Sequence, residues 1–131
     1  MTGTSQRLYL FDIDGTMATT NRAGSRSFMR SCRHTLGLVG EVDGVLMAGK
    51  LDRVIFQEIA ERFRPDLDDG ELNERWLHFR QGYLEHLRAE SEDPRGWTLL
   101  PGVKPLLERC SRLGSMALLT GNVREGAYIK L

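Results

Sequence analysis

The stretch LYLFDIDGT, residues 8–16, constrains this chain more than any other. Leu8, Tyr9, Leu10 and Phe11 form an apolar run too short for a helix face, and Gly15 bounds it. Such a run predicts a buried strand of a parallel sheet, where both faces are covered. Two acids, Asp12 and Asp14, stand at its carboxyl end with Ile13 between them. Side chains two apart on a strand leave on the same side. Two carboxylates placed there repel each other unless a cation or a proton relieves them. Mg²⁺ favours such a site, because it takes one or two carboxylates and completes its shell with phosphate oxygens. An aspartate can also accept a phosphoryl group covalently, while a second acid moves protons.

A second unit of the same kind lies near the end of the sequence. Pro101-Gly102 marks a turn, and Val103, Leu106, Leu107, Cys110 and Leu113 share one helical face. Gly114 stops that helix, and Met116 to Leu119 predict a second buried strand. It runs into Thr120-Gly121-Asn122, a hydroxyl beside backbone N–H groups, a composition suited to cradling phosphate. In open parallel α/β sheets ligands bind beyond the carboxyl ends of the strands. Both polar clusters are therefore expected at one place.

The intervening chain reads as helical. Residues 24–36 form a mixed, weak helix with Gly37 as its stop, and LGLVGEVDGVLMAGK, residues 36–50, reads as a glycine-rich loop. Asp52 is placed to cap a helix with Val54, Ile55, Ile59 and Phe63 on one face, ended by Pro65. Leu72, Trp76, Phe79, Tyr83 and Leu87 step by threes and fours, an apolar stripe along a helix over 71–90.

FDIDGT resembles the first signature of the haloacid dehalogenase superfamily, Asp-x-Asp-Gly-Thr after an apolar strand. LLTGN resembles its second, a strand ending in Thr or Ser and often followed by Gly-Asn. GKLDRVI and LLPGVKPLLERCSRLGSMALLTGN are similar to stretches of phosphoglycolate-phosphatase-like members. The resemblance implies an α/β fold, a Rossmann-like parallel-sheet core over 1–19 and 96–131, incomplete in this chain, with an α-helical cap over 20–95. It implies that Asp12 is the nucleophile and Asp14 the acid/base, that Asp12 and Asp14 hold Mg²⁺, and that Thr120, Gly121 and Asn122 bind phosphate. Lys50 matches a cap loop that reads the substrate. A carboxyl at Asp14 favours phosphoryl transfer over carbon–halogen cleavage, since the dehalogenating members resemble Asp-x-Tyr there. The implied activity is hydrolysis of a small phosphate monoester, phosphoglycolate first. The alternatives are a phosphomutase of the same fold and a non-catalytic interaction protein.

The sequence ends nine residues after Asn122, and the superfamily's third-signature Lys and fourth-signature acids have no clear match. Lys130 is not taken for that Lys. A C-terminal half or a second chain is expected to complete the core. The isolated 131 residues are expected to bind Mg²⁺ weakly and turn over little.

Other features have plainer readings. Eighteen bases balance eighteen acids, which gives no support for a nucleic-acid partner. No apolar run reaches the roughly 18 residues of a membrane span. MTGTSQR leads into too short an apolar run for a signal peptide. Cys32 and Cys110 read as free thiols of a cytoplasmic protein. His78 and His86 are too far apart on their helix to share a metal and read as surface histidines. Arg22, Arg26, Arg30 and Arg33 form a basic, solvated stripe, and Trp76, Phe79 and Tyr83 read as cap core.

Overall fold

The computed structural model describes residues 6–131. The expected core segment 1–19 and the MTGTSQR start both extend into residues 1–5, outside the described residues. In chain order the elements are β1 (Leu8–Phe11), β2 (Ala18–Thr20), α1 (Ala23–Leu36), α2 (Asp52–Phe63), α3 (Asp69–Ser91), β3 (Trp97–Leu99), α4 (Val103–Leu113), β4 (Ser115–Leu118) and α5 (Arg124–Lys130). They form two compact units. One holds the described residues up to Asn21 together with Arg95–Thr120, and the other holds Arg22–Pro94 with Gly121–Leu131. Residues 121–131, assigned to the core in the sequence reading, thus group with the helices.

The first unit is α/β. β1 and β4 pair in parallel, with Leu8 opposite Ser115 and Phe11 opposite Leu118. The ladder extends one bond at each end, from Ser115 N–H to the Arg7 carbonyl at 2.9 Å and from Leu119 N–H to the Phe11 carbonyl at 2.8 Å. Gly114 is required where the strands converge, because a Cβ there would run into the Arg7 carbonyl. Between β1 and β2 the chain turns tightly. The Ile13 carbonyl accepts from the amides of Thr16, Met17 and Ala18, and Gly15 takes φ 72°. β2 then pairs antiparallel with β3.

The strands differ from expectation in their cover. Leu8 is 60% exposed and Leu10 52%, and every residue of β4 is exposed. On α4 only Val103 and Cys110 are buried, so the expected face at Leu106 and Leu113 lies open. The reason is the width of the sheet. A continuous apolar strand is suited to a sheet with neighbours and helices on both faces. Here β1 and β4 make a two-stranded sheet, whose outer edges carry no partner among the described strands.

The second unit is helical, and α1 packs along α3. Phe79 of α3 sits at its centre, fully buried. Its ring lies 4.6 Å from Phe28, 4.8 Å from Phe56, 5.3 Å from Trp76 and 5.7 Å from Tyr83, centroid to centroid. The stripe expected from Leu72 to Leu87 faces inward from Phe79 on, joined by Leu84. On α2 the buried face is Ile55, Phe56, Ile59 and Ala60, with Val54 turned outward. The helices pack closely where side chains are small. The Ser31 hydroxyl donates to the Phe79 carbonyl at 2.7 Å, and Gly82 lies directly against it.

Helix ends follow their local sequence. Gly37, at φ 65°, ends α1 with its N–H on the His34 carbonyl and the Leu38 N–H on the Arg33 carbonyl, a Schellman motif. The last carbonyls of α1 also accept from arginines, Thr35 from Arg75 at 2.6 Å and Leu36 from Arg64 at 2.7 Å. Asp68 and Glu71 form a capping box at the start of α3.

Candidate active site

In the first unit the acids sit where the strand pattern puts them. Asp12 and Asp14 are exposed and Ile13 between them is fully buried, the alternation expected of a chain leaving a strand. Thr16 donates a long hydrogen bond, 3.4 Å, to the Asp12 carboxylate. The parallel register ends β1 and β4 side by side. It therefore brings Asp12 and Asp14, just beyond β1, and Thr120, just beyond β4, to the same end of the sheet. Thr120 is half-buried there.

Gly121 and Asn122 fall in the second unit, with Lys50. Gly121 packs backbone against backbone, since a Cβ on it would strike the Lys50 carbonyl. The Asn122 side-chain oxygen accepts from Lys130 Nζ at 2.6 Å, and Lys130 is buried. The Lys50 ammonium pairs with Glu58 of α2 at 2.6 Å. Asp52 does not cap α2 as expected. It is the helix's first residue, Leu51 is the cap, and the Asp52 carboxylate instead accepts the Val123 N–H at 2.8 Å. That contact joins residues far apart in sequence, and only the fold shows it.

Asp12 and Asp14 offer hard oxygen donors that fit Mg²⁺ as part of a shell. Among the described residues no group of three or more His, Cys, Asp or Glu side chains could hold a metal ion. The histidines line one cleft between α1 and α3: His34, His78 and His86 beside Glu71, Glu74 and Glu85. Burial holds the His86 imidazole below its ordinary pKa, aided by Arg30 and His34 of α1 and opposed by Glu85. Of the arginine stripe, Arg26 is bound in a two-point pair to Glu90 of α3, at 3.1 and 2.6 Å.

No family model matches the chain, and no curated protein matches it either. Solved structures do. A predicted phosphoglycolate phosphatase from Haemophilus somnus superposes with a TM-score of 0.56 at 17% identity, covering 95% of this chain and 55% of that one. A haloacid dehalogenase-like family hydrolase from Streptococcus pneumoniae gives 0.48 at 20% identity, over 89% of this chain and 50% of that one. A hydrolase from Pseudomonas syringae gives 0.48 at 16%, over 95% and 53%. The chain thus spans about half the length of these proteins. The Haemophilus likeness shows a shared fold: this chain has the α/β architecture, with parallel strands and helices, of that phosphatase-like protein.

Proposed function

We propose that this chain carries the nucleophile half of a Mg²⁺-dependent phosphatase of the haloacid dehalogenase type, acting on a small phosphate monoester. The observation that carries the reading is the shared strand end. Two exposed acids follow β1, and a threonine follows its parallel partner β4. Phosphoglycolate is the first substrate to try, since the Haemophilus protein of the same fold is a predicted phosphoglycolate phosphatase.

In this reading an Asp12 carboxylate oxygen attacks phosphorus in line with the ester oxygen. The P–O ester bond breaks, and Asp14 gives its proton to the leaving alkoxide. Asp14 then takes a proton from water, which attacks the aspartyl phosphate, freeing Asp12 and inorganic phosphate. Thr120, Gly121 and Asn122 donate hydrogen bonds to the phosphoryl oxygens. Mg²⁺ would be held by the Asp12 carboxylate and the Asp14 backbone carbonyl, and would supply positive charge to offset that of the transferred group. Lys50 is left to the substrate's distal end, in exchange for its bond to Glu58.

The open strands support a further part of the reading. The apolar faces of β1 and β4 suit a partner that widens the sheet, either a C-terminal half or a second chain. That partner would bring the third-signature lysine and fourth-signature acids, which have no clear match in this sequence. A cytoplasmic setting fits the two free buried thiols.

The test is phosphate release from p-nitrophenyl phosphate with and without Mg²⁺, by this chain alone and by the polypeptide purified from its source. The expected result is Mg²⁺-dependent release by the native protein, lost by at least about 10³-fold in Asp12→Asn, and little release by the isolated chain. Release that survives Asp12→Asn would sink the assignment of the nucleophile. No release by the native protein would favour the non-catalytic reading.

A further inference from the structure

The turn Gly121-Asn122-Val123 is gripped at both ends by one residue. The backbone N–H of Asp52 donates to the Gly121 carbonyl at 2.9 Å. The Asp52 carboxylate accepts the Val123 N–H at 2.8 Å. Asp52 is 8% exposed, so both bonds lie in a largely dry setting where a hydrogen bond to a charged acceptor counts for more. Gly121 fits against the Lys50 backbone with no room for a side chain, and Lys130 holds Asn122 from the other side. The turn is thus fixed by the start of α2 and the end of α5, neither of which needs to touch a ligand.

We propose that Asp52 is a positioning residue for phosphate binding, holding the amides of Gly121 and Asn122 in the geometry that accepts a phosphoryl oxygen. The proposal rests on the phosphatase reading above. Its physical content is preorganisation: donors already fixed cost no ordering when the anion arrives. A loop freed of the Asp52 bonds must be ordered on binding, and the affinity falls by that amount. The carboxylate's charge does not help an anion nearby. Its value is as a strong acceptor for the Val123 N–H, and a neutral acceptor of the same shape should serve.

The experiment is an NMR titration of the 131-residue chain with inorganic phosphate in Mg²⁺, following the amides of Gly121 and Asn122. Four proteins are compared: wild type, Asp52→Asn, Asp52→Ala and Val123→Pro. The last deletes the same bond from the donor side, at a residue whose φ of −57° already suits proline. Asp52→Asn should bind phosphate at least as tightly as wild type. Asp52→Ala and Val123→Pro should bind about tenfold more weakly, the effect of one hydrogen bond to a charged acceptor. If Asp52→Ala does not fold, Val123→Pro carries the comparison alone. Equal binding by wild type and the two deletion variants overturns the positioning role and leaves the phosphatase reading standing. Weak binding by Asp52→Asn also overturns it, since the acceptor is retained. No phosphate-induced shift at Gly121 and Asn122 in wild type overturns the phosphate-binding reading and the proposal with it.

Discussion

Cys32 is fully buried on α1, and burial pushes its thiol up to about 12. The thiolate is the reactive form, so at pH 8 this cysteine should be silent. An Ellman's assay on the native chain should show no reaction at Cys32 until denaturant is added; prompt labelling would mean α1 opens readily. At this scale the sequence is informative where chemistry is local. Asp12 and Asp14 are exposed around a buried Ile13, as their spacing in FDIDGT predicts. Gly15 turns the chain through a positive φ, as a glycine after a strand suggests. Asp52 shows the other side. Its place before an apolar helix reads as a cap, yet its carboxylate serves Val123, across a separation that local rules do not reach.

Among the elements, α1 to α3 carry most of the buried apolar surface, and Phe79 is the side chain they share. Phe79→Ala should cost about 3–5 kcal/mol, read as a lower urea midpoint with the slope unchanged. Acid should loosen the same helices. The folded His86 holds its proton less tightly than its ordinary value of 6.5, so in the window just below that value the unfolded chain binds the extra proton. Stability is therefore lost as pH falls below about 6.5. Melting temperatures across that window should fall less steeply in His86→Gln, and an identical slope would show that burial, with Arg30 and His34 beside it, does not lower the folded His86. The α3 stripe was legible because its period is internal to one helix. The replacement of Val54 by Phe56 on the buried face of α2 was not, because which side of a helix faces inward depends on its neighbours.

For the whole molecule, the two units differ in how well they are covered. The helical unit has a closed aromatic centre, and the α/β unit exposes both strands of its parallel pair. Hydrogen exchange should reflect this, with slow amides on α1 and α3 and fast ones on β1 and β4. Equal protection would show that the strands are covered in solution. The positions of both strands were legible from their apolar runs, and their exposure was not. An apolar run states what surroundings a strand is suited to, and β1 and β4, paired only with each other among the described residues, do not supply them.

The parallel pairing also sets an order of events at the ribosome. Leu8 is made about a hundred residues before its partner Ser115. At about 5–20 residues per second, β1 waits some seconds for β4. During that time α1, α2 and α3 can emerge and close around Phe79 while LYLF stays unpaired. Those four residues are then a natural landing place for chaperones that bind nascent apolar segments, before the first strand ever meets its neighbour.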